Sequence, residues 1–180
     1  MAVPAVFLDR DGVLNRTFVV DGVPHPPQRI DEFVILPGVE EACALLRRRG
    51  FRLIVVTNQP DIARGKQTFE GVARLNGALR RRLPVDDVLV CPHDNRDNCD
   101  CRKPRPGMLL AAAKAYDIDL ANSTMVGDRD KDIEAGRAAG CRTVYVNGGY
   151  GRAPVPPADL TVASLREAVP WIISQDSTGG

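Results

Sequence analysis

Four side chains that bind soft metal ions lie close together in the middle of the chain. They form a Cys-x-His pair followed by a Cys-x-Cys pair within eleven residues, and they are Cys91, His93, Cys99 and Cys101. Sulfur and imidazole ligands in a set of four suit tetrahedral zinc, and a closed shell of protein ligands leaves no open position for catalysis. We therefore predict a structural zinc site that folds a short polar loop.

Arg102 and Lys103 follow the last of these ligands directly. A loop stiffened by zinc would hold this cationic pair in a fixed position. A rigid pair of positive charges predicts an anionic substrate.

A second group of polar side chains follows short apolar runs of the sequence. Asp9 and Asp11 come after the first run, Thr57 and Asn58 end the second, and Asp128 ends a later one. Two carboxylates at positions i and i+2, joined by a third from another strand, make the oxygen-rich site that Mg²⁺ prefers.

The same set of groups predicts phosphoryl transfer. Mg²⁺, Lys103 and the Thr57 hydroxyl would neutralise a phosphoryl group, which one aspartate could attack to form an aspartyl-phosphate. A second carboxylic group nearby could protonate the leaving alcohol. Each motif alone is common in turns and helix caps, but the whole set in this order favours a catalytic site.

The elements that position these residues alternate between strands and helices. The predicted strands are β-branched and apolar, as parallel strands covered on both faces are, and they span Val3–Leu8, Arg52–Thr57, Asp87–Cys91, Thr124–Gly127 and Thr143–Val146. Amphipathic runs between them predict helices at Val39–Arg49, Phe69–Leu83, Pro106–Tyr116, Asp130–Ala139 and Leu165–Ile173. This rhythm predicts an α/β fold with a doubly wound, Rossmann-like parallel sheet, whose strand ends meet at one edge.

Two segments interrupt the alternation: the metal loop and the stretch Asn15–Leu36. The latter contains Asp21-Gly22, a hairpin-turn signal between Phe18–Val20 and Val23. We predict one domain over residues 1–174 and a disordered polar tail over residues 175–180.

Composition argues against several classes of partner. The net charge is only +1 and 44% of the 180 residues are apolar, which is ordinary for a globular protein. The runs Arg47–Arg49 and Arg80–Arg82 lie at predicted helix ends, where they favour the helix dipole, so we do not expect nucleic-acid binding. We expect no membrane span, a cytoplasmic location that suits clustered free cysteines, and a monomer.

The motifs together resemble a known family. Phe7–Asn15, Thr57-Asn58-Gln59, Cys91 to Pro104 and Gly127-Asp128 with Asp132 are similar to the haloacid dehalogenase superfamily. More narrowly, they resemble its capless branch of D-glycero-D-manno-heptose 1,7-bisphosphate phosphatases and histidinol-phosphate phosphatases. The resemblance covers roughly residues 3–169.

This resemblance implies a role for each motif residue. Asp9 would be the nucleophile and Asp11 the general acid and base, while Thr57 and Lys103 would hold the phosphoryl group. Mg²⁺ would be bound by the Asp9 carboxylate, the Asp11 backbone carbonyl and Asp128, with Asp132 in support. The zinc ligands would be the Cys and His residues named above.

The resemblance also implies where specificity lies. With no room for a cap domain between Gly12 and Val56, substrate choice would fall to Asn15–Leu36, Pro60–Gln67 and the zinc loop, with Asn58 and Arg102 contacting the substrate. The run Arg102–Met108 favours the heptose enzymes, whose 7-phosphate would be removed, whereas the short gap between His93 and Cys99 is typical of histidinol-phosphate enzymes. Other sugar phosphates, and an inactive sugar-phosphate-binding protein, remain as alternatives.

Overall fold

The computed structural model describes residues 1–150 and 152–176, in which helices cover both faces of a parallel sheet. The strands in chain order are β1 (Ala5–Leu8), β2 (Phe18–Val20), β3 (Val23–His25), β4 (Arg52–Asn58), β5 (Asp87–Cys91), β6 (Thr124–Gly127), β7 (Arg142–Val146) and β8 (Leu160–Val162). The helices are α1 (Val39–Arg48), α2 (Phe69–Arg82), α3 (Gly107–Tyr116), α4 (Asp130–Ala138) and α5 (Leu165–Asp176).

The main sheet has the strand order β5-β4-β1-β6-β7-β8, and every neighbouring pair in it is parallel. The chain first builds outward from β1 through β4 to β5, then crosses back to β6 on the other side of β1. This reversal makes a topological switch point between β1 and β6, where ligands of open α/β sheets bind. The predicted doubly wound fold is confirmed.

Two apolar clusters, one on each face of the sheet, hold the helices in place. Successive residues of β1 alternate between them, with Val6 and Leu8 in the cluster beneath α1 and α5, and Ala5 and Phe7 in the cluster beneath α3. All four side chains are fully buried. The central strand is therefore apolar at every position, and its polar residues come only after its carboxyl end.

The stretch between β1 and α1 carries a two-stranded hairpin and no inserted domain. β2 and β3 pair antiparallel around Asp21 and Gly22, which have φ of +50° and +74°, as a tight hairpin turn requires. The valines of this hairpin, Val19, Val20 and Val23, are about half exposed. The predicted hairpin is thus present, and it stands beside the carboxyl edge of the sheet.

The predicted strands and helices are all found, with ends shifted by three residues or fewer. α5 extends to Asp176, so our assignment of residues 175 and 176 to a disordered tail was wrong; the buried Ile172 anchors the last turn on the core. Residues 177–180 lie outside the described residues. Among the helices of the described chain, none is long and apolar enough to span a membrane.

Candidate functional site

The carboxyl ends of three neighbouring strands bring polar side chains to one edge of the sheet. Asp9 directly follows β1, Thr57 lies near the end of β4, and Asp128 directly follows β6. These residues are 8%, 1% and 1% exposed, respectively. The three positions that the sequence assigned to different strand ends are therefore neighbours.

The turn after β1 passes close to Asp128 because it contains Gly12. Gly12 has φ of +89°, and a Cβ built on it would lie 2.1 Å from Asp128 Oδ2. The amides of Leu14 and Asn15 donate to the Arg10 carbonyl at 2.9 and 3.2 Å and close the turn. Only glycine combines this backbone conformation with this approach.

Lys103 lies buried between two of the acidic side chains. Its Nζ donates to Asp9 Oδ1 at 2.8 Å and to the Val56 carbonyl at 2.7 Å, and it lies 2.6 Å from Asp132 Oδ1. Burial alone would lower the pKa of Lys103, but the carboxylates of Asp132 and Asp9 hold it above its ordinary value. Lys103 is therefore a fixed positive charge at the carboxyl end of β1.

The two carboxylates that contact Lys103 and that of Asp128 together surround a space suited to a cation. Ligand oxygens of Asp9, Asp128 and Asp132 all lie within 4.8 Å of one another. Within the described residues, both side-chain oxygens of Asp128 are buried and neither has a hydrogen bond of good geometry; the Tyr150 hydroxyl is the polar side chain that interacts with them. Burial, and then repulsion from Asp9 and Asp132, raises the pKa of Asp128 to about 9; burial and Asp132 raise that of Asp9 to about 6. Buried carboxylate oxygens of this kind fit a divalent cation with oxygen ligands.

The Asp11 carboxylate is held apart from this trio. The Arg10 guanidinium donates to both of its oxygens, with Nη2 at 3.1 Å from each. Asn15 Nδ2 donates to Oδ1 at 2.9 Å, and Gln59 Nε2 donates to Oδ2 at 2.8 Å. Gln59 Nε2 also lies 2.9 Å from Thr57 Oγ1. The side chain next to Asp9 and Asp128 is thus Asp132, while Asp11 faces a set of donors.

Asn58 and Lys103 are joined through the backbone of the loop after β5. Asn58 Nδ2 donates to the Lys103 carbonyl, and the Lys103 amide donates to Asn58 Oδ1, both at 3.1 Å. This reciprocal pair fixes the base of the Lys103 side chain relative to β4. Asn58 also lines the cavity described below, where we predicted contact with substrate.

The Cys/His set is brought together as predicted from its spacing. The ligand atoms of Cys91, His93, Cys99 and Cys101 all lie within 4.8 Å of one another. Cys91 Sγ is 3.7 Å from both Cys99 Sγ and His93 Nδ1, and Cys101 Sγ is 3.5 Å from Cys99 Sγ. Four ligands on one zinc would be spaced by about 3.8 Å, given bonds of about 2.3 Å. Two other contacts are shorter, with Cys101 Sγ 3.0 Å from Cys91 Sγ and 3.4 Å from His93 Nδ1. The cysteines are free thiols, and the four ligand atoms converge as a zinc site requires.

Two arginines brace the same loop. Arg102 donates to Asn95 Oδ1 at 2.9 Å and to the His93 carbonyl at 3.2 Å. Arg105 donates to the carbonyls of Asn98 and Cys99 at 3.1 and 2.8 Å. Arg102 reaches the cavity from this position, whereas Arg105 does not line it.

A cavity of about 250 Å³ opens above the acidic residues. The hairpin, the loop after β4, the zinc loop and the loop after β6 form its walls, which include Thr17, Val23, His25, Asp61, Arg64, Arg102, Arg129 and Lys131. Several of these wall residues are cations, so the cavity suits an anionic ligand larger than phosphate itself.

Sequence reasoning missed Arg10, Gln59 and Asn76 as site residues. Arg10 and Gln59 stand inside the motifs but received no role. Each has one partner close in sequence and one distant partner, Asn76 for Arg10 and Asp11 for Gln59, and the spacing of the motifs does not reveal the distant one. Asn76 is a polar residue on the buried face of α2, beside the buried Leu75 and Leu79, and that interruption of an apolar face was the available signal.

Comparison with known proteins agrees with this geometry. Residues 100–168 match the model of the HAD-hydrolase-like family. The chain is 43% identical over 155 residues to D-glycero-β-D-manno-heptose-1,7-bisphosphate 7-phosphatase of Vibrio cholerae, covering 79% of this chain and 80% of that protein. It is 40% identical over 186 residues to the Escherichia coli K12 protein of that name, covering 96% and 90%.

A solved structure is also similar over nearly the full length. The D,D-heptose 1,7-bisphosphate phosphatase of B. bronchiseptica, complexed with magnesium and phosphate, superposes with a TM-score of 0.80 at 30% identity. The match covers 96% of this chain and 99% of that one.

Proposed function

Because the chain belongs to the haloacid dehalogenase-like hydrolase family and is a phosphatase, we propose that it removes the 7-phosphate of D-glycero-D-manno-heptose 1,7-bisphosphate. The observation that carries this proposal is the trio of buried carboxylates beside a buried lysine, beneath a cavity walled by cations. The heptose substrate is taken from the names of relatives that cover nearly the whole chain.

Mg²⁺ fits the acidic trio because ligand oxygens of three buried carboxylates converge there. We propose that Asp9, Asp128 and the Asp11 backbone carbonyl hold the ion, with Asp132 in support. When bound, it supplies positive charge that neutralises the phosphoryl oxygens and the repulsion among the carboxylates. The relative complexed with magnesium and phosphate supports this assignment.

The first half-reaction is assigned to Asp9 and Asp11. A carboxylate oxygen of Asp9 bonds to phosphorus, and the bond from phosphorus to the sugar oxygen breaks. The protonated carboxyl group of Asp11 gives its proton to that leaving oxygen, so the sugar departs as an alcohol. Lys103 and the Thr57 hydroxyl hold the phosphoryl oxygens during the transfer.

The second half-reaction returns the enzyme to its starting state. The ionised Asp11 takes a proton from a water molecule, and the water oxygen bonds to phosphorus. The bond from phosphorus to Asp9 breaks, which releases inorganic phosphate and restores the Asp9 carboxylate. Lys103 stabilises that carboxylate as its charge returns, because its Nζ lies 2.8 Å from Asp9 Oδ1.

We further propose that Cys91, His93, Cys99 and Cys101 bind a structural zinc ion. Their four ligand atoms account for a complete tetrahedral shell, so this ion would take no part in the reaction. Its role would be to hold the loop that carries Arg102 and Lys103.

Arg102 and Asn58 are proposed to contact the substrate away from the reacting phosphate. Arg102 lines the cavity one residue before Lys103 and carries a planar fork suited to a second phosphate. A bisphosphate would contact Arg102 and Lys103 at the same time. We therefore favour a bisphosphate substrate over a monophosphate.

The proposal is tested by phosphate release across a panel of purified substrates. The panel contains the heptose 1,7-bisphosphate in both anomeric forms, histidinol phosphate, and common hexose and pentose phosphates. We expect kcat/KM to be highest for the heptose bisphosphate. A higher value for histidinol phosphate or for another monophosphate would contradict the assigned substrate, and no release from any of them would favour a binding protein without turnover.

A further inference from the structure

Arg10 is a fully buried arginine between the two catalytic aspartates in sequence. Its exposed fraction is 0%, and it is the bulkiest of the fully buried side chains in the described chain. A guanidinium keeps its charge in proteins, so burying it is costly unless a counter-charge and acceptors surround it. The hydrogen-bond partners of Arg10 therefore fix the orientation of its guanidinium.

Those partners lie on opposite sides of the guanidinium. Nε and Nη2 face the Asp11 carboxylate at 3.2 and 3.1 Å, and Nη1 donates to Asn76 Oδ1 at 2.8 Å. Asn76 is 9% exposed and lies 66 positions along the chain from Arg10. Asn76 on α2 therefore holds one end of the guanidinium, and the Nε and Nη2 atoms at its other end face the Asp11 carboxylate.

Packing alone does not call for an amide at this position of α2. The neighbouring buried positions of the same helix are Val72, Leu75 and Leu79, and an aliphatic side chain at residue 76 would continue their apolar surface. A buried amide costs stability unless it is hydrogen-bonded, and here the acceptor Oδ1 meets Arg10.

We infer that Asn76 is a positioning residue for phosphoryl transfer. It holds the Arg10 guanidinium, which in turn holds the carboxylate of Asp11 at the wall of the cavity. Asn15 and Gln59 donate to the same carboxylate, so three residues orient Asp11. This inference rests on the proposed roles of Asp9 and Asp11.

The chemistry provides a readout that a purely structural role would not move. Asp11 must protonate a sugar alkoxide as it leaves, but p-nitrophenolate leaves readily without a proton. Loss of the Asp11 position should therefore slow the first half-reaction with a sugar phosphate and spare that with p-nitrophenyl phosphate. Both substrates share the same attack by Asp9.

The experiment compares first-turnover rates of Asn76→Leu and wild-type enzyme with the two substrates, in the presence of Mg²⁺. We expect the rate with the sugar phosphate to fall about 10- to 100-fold, because small displacements of a catalytic group carry penalties of this size. The first-turnover rate with p-nitrophenyl phosphate should stay within about twofold. Asn76→Asp, which keeps an acceptor for Arg10, should restore most of the sugar-phosphate rate.

Two further variants separate the possible failures. Leu79→Ala weakens packing on the same face of α2 and should lower the melting temperature without changing the ratio of the two rates. Asp11→Ala should change that ratio more than Asn76→Leu does. If Asn76→Leu does not fold, Asn76→Ser carries the same comparison, because its short hydroxyl cannot take the place of the amide.

The outcomes distinguish the inference from the proposed function. A normal rate ratio in Asp11→Ala would refute the assigned role of Asp11, and the inference with it. A changed ratio in Asp11→Ala with an unchanged ratio in Asn76→Leu would overturn the inference alone. Equal losses with both substrates, or failure of Asn76→Asp to restore the rate, would also overturn it.

Discussion

Replacing Gly12 with alanine should disable the site while leaving the fold in place. Two penalties act at this position. The φ of +89° is strained for any residue with a Cβ, at a cost of about 1–2 kcal/mol. In addition, the new Cβ would lie 2.1 Å from Asp128 Oδ2 and 2.5 Å from the Tyr150 hydroxyl. Because atoms in contact are normally about 3.5 Å apart, either the turn or Asp128 must move by more than about 1 Å.

Gly50 offers a matched control for the backbone penalty. Its φ is +92°, nearly that of Gly12, but a Cβ built on it meets no atom of the described residues within 4 Å. It lies between α1 and β4, away from the carboxyl edge of the sheet. Gly50→Ala should therefore lose about 1–2 kcal/mol of stability, or roughly 2–8 °C of melting temperature, and keep near-normal activity.

The two variants are compared by thermal unfolding, by phosphate release and by the Mg²⁺ concentration that gives half-maximal activity. Gly12→Ala should lower kcat/KM about 100-fold or more, since a displacement of about 1 Å at a reacting group carries a penalty of this order. It should also need more Mg²⁺ than wild type, because Asp128 is displaced. Wild-type activity and Mg²⁺ dependence in Gly12→Ala would refute the close approach between the turn and Asp128.

Three other changes have clear expected results. Cys99→Ser should reduce the zinc measured by elemental analysis from about one per chain and lower the melting temperature, whereas Cys141→Ala should keep the zinc; equal zinc contents would contradict the site. Arg102→Ala should lower kcat/KM for the bisphosphate roughly 10- to 150-fold, for loss of a contact of about 1.5–3 kcal/mol, and leave p-nitrophenyl phosphate nearly unchanged, while Arg105→Ala, outside the cavity, changes neither. Burial raises the pKa of Asp86, but a backbone amide and two arginines together hold it below its ordinary value. Its contribution to stability is therefore complete above that ordinary value and disappears as the pH falls through the lowered one. Asp86→Asn should lose about 1–2 kcal/mol in urea unfolding at pH 7 and progressively less as the pH is lowered below the ordinary value; a loss that does not change with pH would refute the ionic contribution.

The strand ends explain why so much of the site could be predicted from the sequence. Parallel strands of one sheet expose their carboxyl ends at the same edge, so Asp9, Thr57 and Asp128 had to be near one another once the alternation of strands and helices was recognised. The metal loop could be predicted from the sequence as well, because its ligands are close in sequence and chemically distinctive.

Other features depend on long-range packing, and local patterns do not reveal which residues pair in it. The contact between Lys103 and Asp132 and the contact between Arg10 and Asn76 join distant segments, and no spacing rule relates them. β8 was missed because it has only three residues, with exposed and half-buried positions typical of an edge strand, and it follows a proline-rich loop. Composition also could not reveal that the Asp11 carboxylate is turned toward Arg10.

The central claim is that Asp9 transfers the 7-phosphate of a heptose bisphosphate. Phosphorus NMR of D-glycero-D-manno-heptose 1,7-bisphosphate, followed during incubation with enzyme and Mg²⁺, tests it directly. With wild-type enzyme we expect the 7-phosphate signal to be replaced by inorganic phosphate while the 1-phosphate signal persists. With Asp9→Asn, which keeps the side-chain shape but removes the attacking charge, neither signal should change. Loss of the 1-phosphate signal, persistence of both signals with the wild-type enzyme, or turnover by Asp9→Asn would contradict the account.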